Sequence, residues 1–384
     1  FYYAEIAVAK KLLELSQEYE EENSIDVKNR IQRVEKETNI LLAEQQKKAV
    51  IDAMTHGVLI ITGGPGTGKT TTINTIIQIL QEEENEIVLA APTGRAAKRM
   101  TEATGMEAQT IHRLLGINFV NEDKRRQTFD KNEDNPIDAD VIIIDESSMI
   151  DISLMHSLLR AVSIGTRLIL VGDVDQLPSV GAGNVLKDLI ICERLPVVRL
   201  NQIFRQAQES AIIMNAHRIN QGQQLVLNEK EKDFFFVRRA YSEDIVKAIV
   251  ELSKKRLPNF LNCNSVKDIQ VLTPIRKSPI GVYHLNEVLQ EALNPANKHK
   301  KEKVFRNITF REGDKVMQIK NNYNIVWKIY GARGKVKEEG VGIFNGDEGR
   351  ITEIDETNER LEVTFDDDKC VEYDFSQLEE LELA

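Results

Sequence analysis

The chain has 384 residues, 41% hydrophobic and 29% charged, with a net charge of −11. That apolar fraction excludes a globally disordered chain, and no apolar stretch approaches the roughly 18 residues that a membrane helix needs. Cys192, Cys263 and Cys370 have neither metal-ligand spacing nor the even number of a disulfide set, which suits a reducing cytoplasm. Length predicts two to three domains. The acidic total taken alone argues against a nucleic-acid partner, but charge is unevenly spread. Lys298 to Lys337 holds twelve Lys/Arg against three Asp/Glu, and Val341 to Ala384 holds fifteen acidic residues against three basic ones. A basic stripe beside an acidic surface suits a directed polyanion groove, and equally suits solvated surface charge.

In chain order, Ile6, Val8, Ala9, Leu12, Leu13 and Leu15 recur at mostly helical spacing before an acidic tail, predicting a helical lead-in over residues 1–38. A second helix is predicted over 43–54. Short β-branched runs then alternate with helical patterns: strands at 58–62, 87–91, 141–145 and 167–171, helices near 70–82, 94–104, 150–162 and 182–192. Alternation of this kind predicts a parallel sheet with helices on both faces and ligands beyond the carboxyl ends of the strands. The polar stretch 119–129 interrupts the alternation and reads as a projecting β-hairpin. From about Leu200 a second α/β unit is predicted, with a strand at Ile269–Thr273 and a helix at Val282–Leu293. After Arg311, short strands with turn signals at Asn345-Gly346-Asp347 and Asp366-Asp367-Asp368 predict a small antiparallel barrel.

Chemistry concentrates at Gly63-Gly64-Pro65-Gly66-Thr67-Gly68-Lys69-Thr70, which follows the run Val58–Ile61 and precedes the helical pattern opening at Thr71. This is G-x-x-x-x-G-K-T between a strand and a helix. Its glycines let backbone N–H groups crowd around phosphate oxygens, and the helix points its positive end at them. Lys69 is placed to reach the β- and γ-phosphates and Thr70 to ligate Mg²⁺. The sequence therefore predicts a bound nucleoside triphosphate. The run Val141–Ile144 ends in Asp145-Glu146, a carboxylate placed to hold Mg²⁺ through water and a second acid placed to polarise the attacking water. Gln176, in Gly172-Asp173-Val174-Asp175-Gln176-Leu177-Pro178, is a candidate γ-phosphate sensor, and Arg205 a guanidinium for charge on the transferred phosphoryl. A polar turn and a surface arginine are the plainer readings of those last two.

The order of these elements resembles superfamily 1 DNA helicases of the RecD-like branch. The residues that carry the resemblance are Gln46 in Glu-Gln-Gln-Lys-Lys-Ala-Val, the phosphate loop, Ala91-Pro92-Thr93-Gly94-Arg95, Thr110-Ile111-His112-Arg113, Asp145-Glu146-Ser147-Ser148, Gly172 to Val180, Arg205-Gln206, Val271-Leu272-Thr273-Pro274 and Phe344-Asn345-Gly346-Asp347. The series runs from residue 40 to about 350 and looks most like the long-form RecD proteins. The resemblance implies a P-loop NTPase of the α/β class: a RecA-like domain over 39–200 with a duplex-splitting pin near 117–137, a partial second RecA-like domain over 201–310, and an SH3-like barrel insertion over 311–384. It implies that Gln46 reads adenine, that Gly64, Pro65, Gly66, Thr67, Gly68, Lys69, Thr70 and Thr71 hold ATP, and that Pro92, Thr93, Arg95, Thr110, His112 and Thr273 meet single-stranded DNA. It further implies a cytoplasmic monomer that acts on single strands and on single-strand/duplex junctions, moves 5′ to 3′, and needs ATP and Mg²⁺.

Members of the branch carry a Thr-x-His-Lys-x-Gln-Gly element and a later Arg-bearing segment after the barrel, and neither occurs in these 384 residues. The chain is thus expected to be truncated at both ends, and to bind nucleotide but turn it over poorly. Two other readings stay open: a phosphotransferase or small-molecule kinase with the same loop, and a nucleotide-gated DNA-binding or regulatory ATPase module that does not unwind DNA.

Overall fold

The computed structural model describes residues 1–17, 24–118, 128–227, 233–331, 334–365 and 368–384. The chain divides into two compact units, Phe1–Phe236 and Val237–Ala384.

The first unit opens with three helices, α1 (Tyr2–Gln17), α2 (Ser24–Thr38) and α3 (Glu44–Thr55). Strands β1 (Val58–Gly63), β2 (Ile87–Ala91) and β3 (Ala108–Thr110) follow, separated by α4 (Lys69–Glu82) and α5 (Gly94–Thr104). After the short helix α6 (Ile111–Leu114) come the two-residue strands β4 (Ile117–Asn118) and β5 (Thr128–Phe129), which pair antiparallel. These are the ends of the predicted hairpin; its residues 119–127 lie outside the described residues. Strands β6 (Val141–Ile144), β7 (Arg167–Gly172) and β8 (Val197–Leu200) complete the sheet, with α7 (Ile152–Arg160) and α8 (Val185–Ile191) between them. The unit's last helices are α9 (Arg205–Gln208) and α10 (Ala211–Asn220).

The six main strands pair in the order β3-β2-β6-β7-β1-β8, every neighbouring pair parallel. Burial on both faces explains the unbroken apolar strands. Ile60, Ile142, Ile144, Leu168 and Leu170 join one core with α1 and α7 residues such as Leu12 and Met155. Their sequence neighbours Leu59, Ile61, Ile143, Ile169 and Val171 join the opposite core, with α2, α3 and α4 residues such as Ile31, Val50 and Ile76. The lead-in is therefore part of the fold: α1 covers one face and α2 the other. Parallel strands also put all their carboxyl ends on one edge, and four of the sequence motifs leave the sheet there, after β1, β2, β6 and β7. β7 lies between β1 and β6, so the Gly172 turn emerges between the phosphate loop and Asp145.

The second unit holds α11 (Ser242–Glu251), a π-helical turn at Leu252–Arg256, α12 (Leu257–Leu261) and α13 (Val282–Leu293). Ile269–Thr273, expected as a strand, is not one: among the described residues no strand pairs with it. An apolar run becomes a strand only where a neighbour takes its backbone groups. After the hairpin β9 (Glu302–Phe305) and β10 (Ile308–Arg311) come β11 (Lys315–Gln318), β12 (Asn322–Tyr330), β13 (Val336–Ile343), β14 (Glu348–Asp355), β15 (Arg360–Phe365), β16 (Cys370–Asp374) and β17 (Leu381–Leu383). These seven form an antiparallel sheet, order β13-β12-β16-β15-β14-β11-β17, over a core that includes Phe310, Ile351, Val363 and Tyr373. Trp327 packs against that core, with the Lys369 ammonium 4.9 Å from its ring centre. Asp314 ties α13 to this sheet, accepting from Gln290 Nε2 at 2.5 Å, Asn294 Nδ2 at 2.7 Å and the Arg311 N–H at 2.7 Å.

Candidate functional site

The phosphate loop joins β1 to α4. Gly66 and Gly68 take φ of +74° and +80°, backbone that side chains disfavour. Lys69 Nζ donates to the carbonyl oxygens of Gly63 at 2.7 Å and Gly64 at 3.3 Å. The ammonium thus spans the loop and is held over it. Thr67 is buried and donates to the Gly64 oxygen at 2.8 Å, closing the turn from inside. The α4 helix hydrogen-bonds back to the loop, Thr72 N and Oγ1 both reaching the Gly68 oxygen at 3.0 Å. Thr70 is exposed at the first turn of α4 and Thr71 half-buried behind it. Gln46, on α3, is almost fully buried: its Nε2 donates to the Gly68 oxygen at 3.1 Å and its Oε1 accepts from the Ala43 N–H at 2.9 Å. It therefore braces the loop from behind.

Asp145 and Glu146 follow β6. Burial pushes the Asp145 carboxyl above its ordinary value, opposed by the Glu146 N–H that it accepts at 2.8 Å and by the charges of Lys69 and Arg99. Glu146 is pushed up first by burial and then by Asp145, with Lys69 and Arg99 again opposing. Glu146 sits at φ +53° and its Oε2 is buried with no hydrogen-bond partner. A strained residue with an unsatisfied carboxylate oxygen is poised to take up a polar group. Behind it Ser147 Oγ bonds the carbonyls of Ile144 at 3.0 Å and Val171 at 2.7 Å, stitching β6 to β7. Gly172 fits closely there: a Cβ would stand 2.9 Å from Leu186 Cδ2 and 3.2 Å from the backbone nitrogens of Ser147 and Ser148. Asp173 is buried and Gln176 exposed on the following turn, which Thr62 Oγ1 anchors by accepting the Val174 N–H at 3.2 Å.

The metal expectation fits these donors. Among the described residues no cluster of three or more His, Cys, Asp or Glu side chains forms a protein-built cage. One carboxylate and one hydroxyl are a set that binds Mg²⁺ together with substrate phosphates.

Sequence reasoning did not foresee three residues of the site. The Phe204 N–H donates to the Gly66 oxygen at 3.2 Å. His217, on α10, shares a hydrogen bond between Nε2 and the Pro65 oxygen at 3.0 Å. Arg99, on α5, bears on both acids, as above. The glycines were the available signal for the first two: a Cβ would meet His217 at Gly64, Ala207 at Gly66 and Phe204 at Gly68. Arg205 opens α9, one residue beyond Phe204.

The candidate DNA residues of the first unit cluster at the ends of β2 and β3. Thr93 Oγ1 caps α5, accepting the Ala96 N–H at 3.2 Å, and Thr110 Oγ1 caps α6, accepting the Arg113 N–H at 3.1 Å. Each hydroxyl keeps its own proton for another acceptor. Pro92 is half-buried beside Thr93, and Arg95 is exposed on the first turn of α5. His112 is half-buried with its ring centre 6.2 Å from that of Phe129; burial holds its pKa down, with Asp151 opposing. The imidazole is thereby biased toward its neutral form. Thr273 belongs to the second unit, where its hydroxyl donates to the Ile280 oxygen at 2.9 Å.

Residues 46–182 match the AAA domain family, and residues 285–365 match the SH3 domain of ATP-dependent RecD-like DNA helicases. The ATP-dependent RecD2 DNA helicase of Deinococcus radiodurans is 36% identical over 315 residues, 82% of this chain and 41% of that one. The chain is RecD-like. The RecD subunit of the Mycobacterium tuberculosis RecBCD enzyme is 33% identical over 283 residues, 64% of this chain and 48% of the subunit. The chain thus spans less than half the length of either relative. A solved structure of Pif1 helicases at forked double-stranded DNA matches with a TM-score of 0.46 at 17% identity, over 90% of this chain and 81% of that one. Among the described residues no helix is long and apolar enough to cross a membrane.

Proposed function

We propose that this RecD-like chain carries the ATP-binding part of a DNA helicase that moves 5′ to 3′ along single-stranded DNA. The observation that carries the reading is the shared edge: Lys69, the Asp145-Glu146 pair, the Gly172–Gln176 turn and the two capping threonines all lie beyond the carboxyl ends of neighbouring parallel strands. Nucleotide and strand are thereby served by neighbouring turns on one edge of the sheet. In this reading the loop N–H groups and Lys69 hold the β- and γ-phosphates, Glu146 takes a proton from the attacking water, and Gln176 reports loss of the γ-phosphate. Thr70 and Asp145 would hold Mg²⁺, which would supply charge neutralisation for the phosphates. Arg205 acts on the transferred phosphoryl, and Gln46, whose amide also braces the loop, reads the adenine edge. Thr93 and Thr110 give hydroxyl protons to DNA phosphates, Thr273 touches the strand, and His112 offers a neutral ring to a base.

The Deinococcus relative's name supports ATP-dependent DNA unwinding. The protein acts as a monomer on single strands and junctions, with residues near 117–137 serving as the pin. Steady-state ATP hydrolysis by residues 1–384, with and without oligonucleotide, tests the reading alongside strand displacement on a fork. ATP binding with slow turnover is expected, since the Thr-x-His-Lys-x-Gln-Gly element is not among these residues. Failure to bind ATP would overturn the reading. Tight, salt-dependent binding of single-stranded DNA without strand displacement, even in a longer form carrying that element, would favour the regulatory ATPase alternative.

A further inference from the structure

Two consecutive peptide groups of the phosphate loop are held from outside. The Pro65 carbonyl is engaged by His217 Nε2 at 3.0 Å, and the Gly66 carbonyl by the Phe204 N–H at 3.2 Å. A carbonyl oxygen only accepts, so His217 must donate, which places its proton on Nε2. No peptide bond in the described chain is cis. In a planar trans peptide the N–H points opposite to the C=O. The Gly66 N–H, in the same plane as the Pro65 carbonyl, is therefore turned away from α10. By the same logic the Thr67 N–H is turned away from Phe204. In the nucleotide reading these are the two donors left to meet the phosphate chain.

The contact is close-packed as well as hydrogen-bonded. A Cβ added to Gly64 would stand 2.6 Å from His217 Cε1, and one added to Gly66 would stand 2.5 Å from the Ala207 Cβ. The imidazole thus lies flush against a backbone with no side chain to hold it off. Glycine is the residue most free to rotate its peptides, and Gly64 and Gly66 flank Pro65. Without an outside restraint that plane is free to turn and present an oxygen, which repels phosphate, in place of a donor.

We infer that His217 is a positioning residue for the triphosphate: by holding the Pro65 carbonyl it orients the Gly66 N–H toward the β- and γ-phosphates. The inference rests on the nucleotide reading of the loop given above. It also explains the placement of α9 and α10 directly after β8: the segment that carries Arg205 is anchored to the loop it serves.

Nucleotide titrations of the 384-residue chain test this with four proteins: unchanged, His217→Phe, His217→Gln and Lys69→Ala. Phenylalanine fills the site without a donor, whereas the glutamine amide restores one. Displacement of a fluorescent ATP analogue by ATP and by adenosine is measured, with melting temperature alongside. His217→Phe should weaken ATP by about 3- to 10-fold, the value of one hydrogen bond, and leave adenosine unchanged. His217→Gln should recover most of the loss. Equal weakening of ATP and adenosine, or a lowered melting temperature without rescue by glutamine, would mean that His217 merely supports the fold and would overturn the inference. So would ATP affinity unchanged by His217→Phe while Lys69→Ala weakens it. If Lys69→Ala also binds ATP normally, the nucleotide reading itself fails.

Discussion

The Lys69 ammonium lies 2.7 Å from the Gly63 carbonyl oxygen, six residues back across the phosphate loop. The contact is one that a phosphate oxygen can replace, because a carbonyl is a weaker partner for an ammonium than an anion is. Lys69→Ala should therefore weaken ATP binding by roughly 10- to 100-fold, the worth of a charge-assisted hydrogen bond. The helix that follows should stay formed, since its Thr72–Gly68 bonds do not involve the lysine side chain. Calorimetric titration with ATP and a circular-dichroism melt check both halves; unchanged ATP affinity would remove Lys69 from the site.

Asp145 and Glu146 set stability against function. Both carboxyls are pushed up by burial, so the folded state keeps protons that the unfolded chain has released. The sign follows: stability falls as pH rises from the unfolded values near about 4 through the higher folded ones, and the whole penalty is present above them. Glu146→Gln removes one charge from this pair and should raise the melting temperature at pH 7 while nearly flattening its own contribution to the pH dependence. ATP turnover should fall by about 10²- to 10⁴-fold, as for a lost general base. Melts of the variant at pH 4 and pH 7, beside ATPase assays, decide this. A variant destabilised more at pH 7 than at pH 4 contradicts it.

The loop glycines separate backbone strain from packing. Gly66 and Gly105 have nearly the same φ, +74° and +72°, but a Cβ at Gly66 meets Ala207 at 2.5 Å whereas one at Gly105 meets nothing within 4 Å. Gly105→Ala should cost only the left-handed penalty, about 1 to 2 kcal/mol, and leave ATP binding intact. Gly66→Ala adds a collision with α9 and should cost about 1 to 3 kcal/mol more, besides weakening ATP. Denaturant unfolding of the two variants measures the difference; equal costs would show that α9 yields freely.

Much of the first unit was legible because its signals are local. Strands buried on both faces leave continuous apolar runs, and Ile87–Ala91 and Gly94–Thr104 are found where β-branched clusters and helical spacing put them. Strand β3, Ala108–Thr110, carries no such signal: its three residues are strand because β2 stands beside them. Ile269–Thr273 fails in the opposite sense, being apolar enough for a strand but without a pairing neighbour among the described residues. At the site, the lysine, the acids and the glycines announce themselves by type and spacing. His217 and Phe204 do not, because their roles arise from contacts across 152 and 138 residues of chain that no local pattern encodes. A histidine in a helix and a phenylalanine before one are ordinary until the fold brings them to a glycine.

Thr93 gives the sharpest test of the strand-binding face, because its hydroxyl does two things at once. The oxygen caps α5 by accepting the Ala96 N–H, and the proton remains for a DNA phosphate. Thr93→Ala should lose both, lowering stability by about 1 kcal/mol and weakening single-stranded DNA. Thr93→Asp separates them. A carboxylate caps a helix at least as well as threonine and favours the positive helix end, so the melting temperature should be kept. It has no proton to give and repels phosphate, so DNA affinity should fall below that of Thr93→Ala. Fluorescence anisotropy with an oligonucleotide across a salt series reads this directly, the log–log slope being about −0.7 for each phosphate neutralised. An aspartate variant that binds the oligonucleotide as tightly as the unchanged protein would place the strand somewhere other than the end of β2.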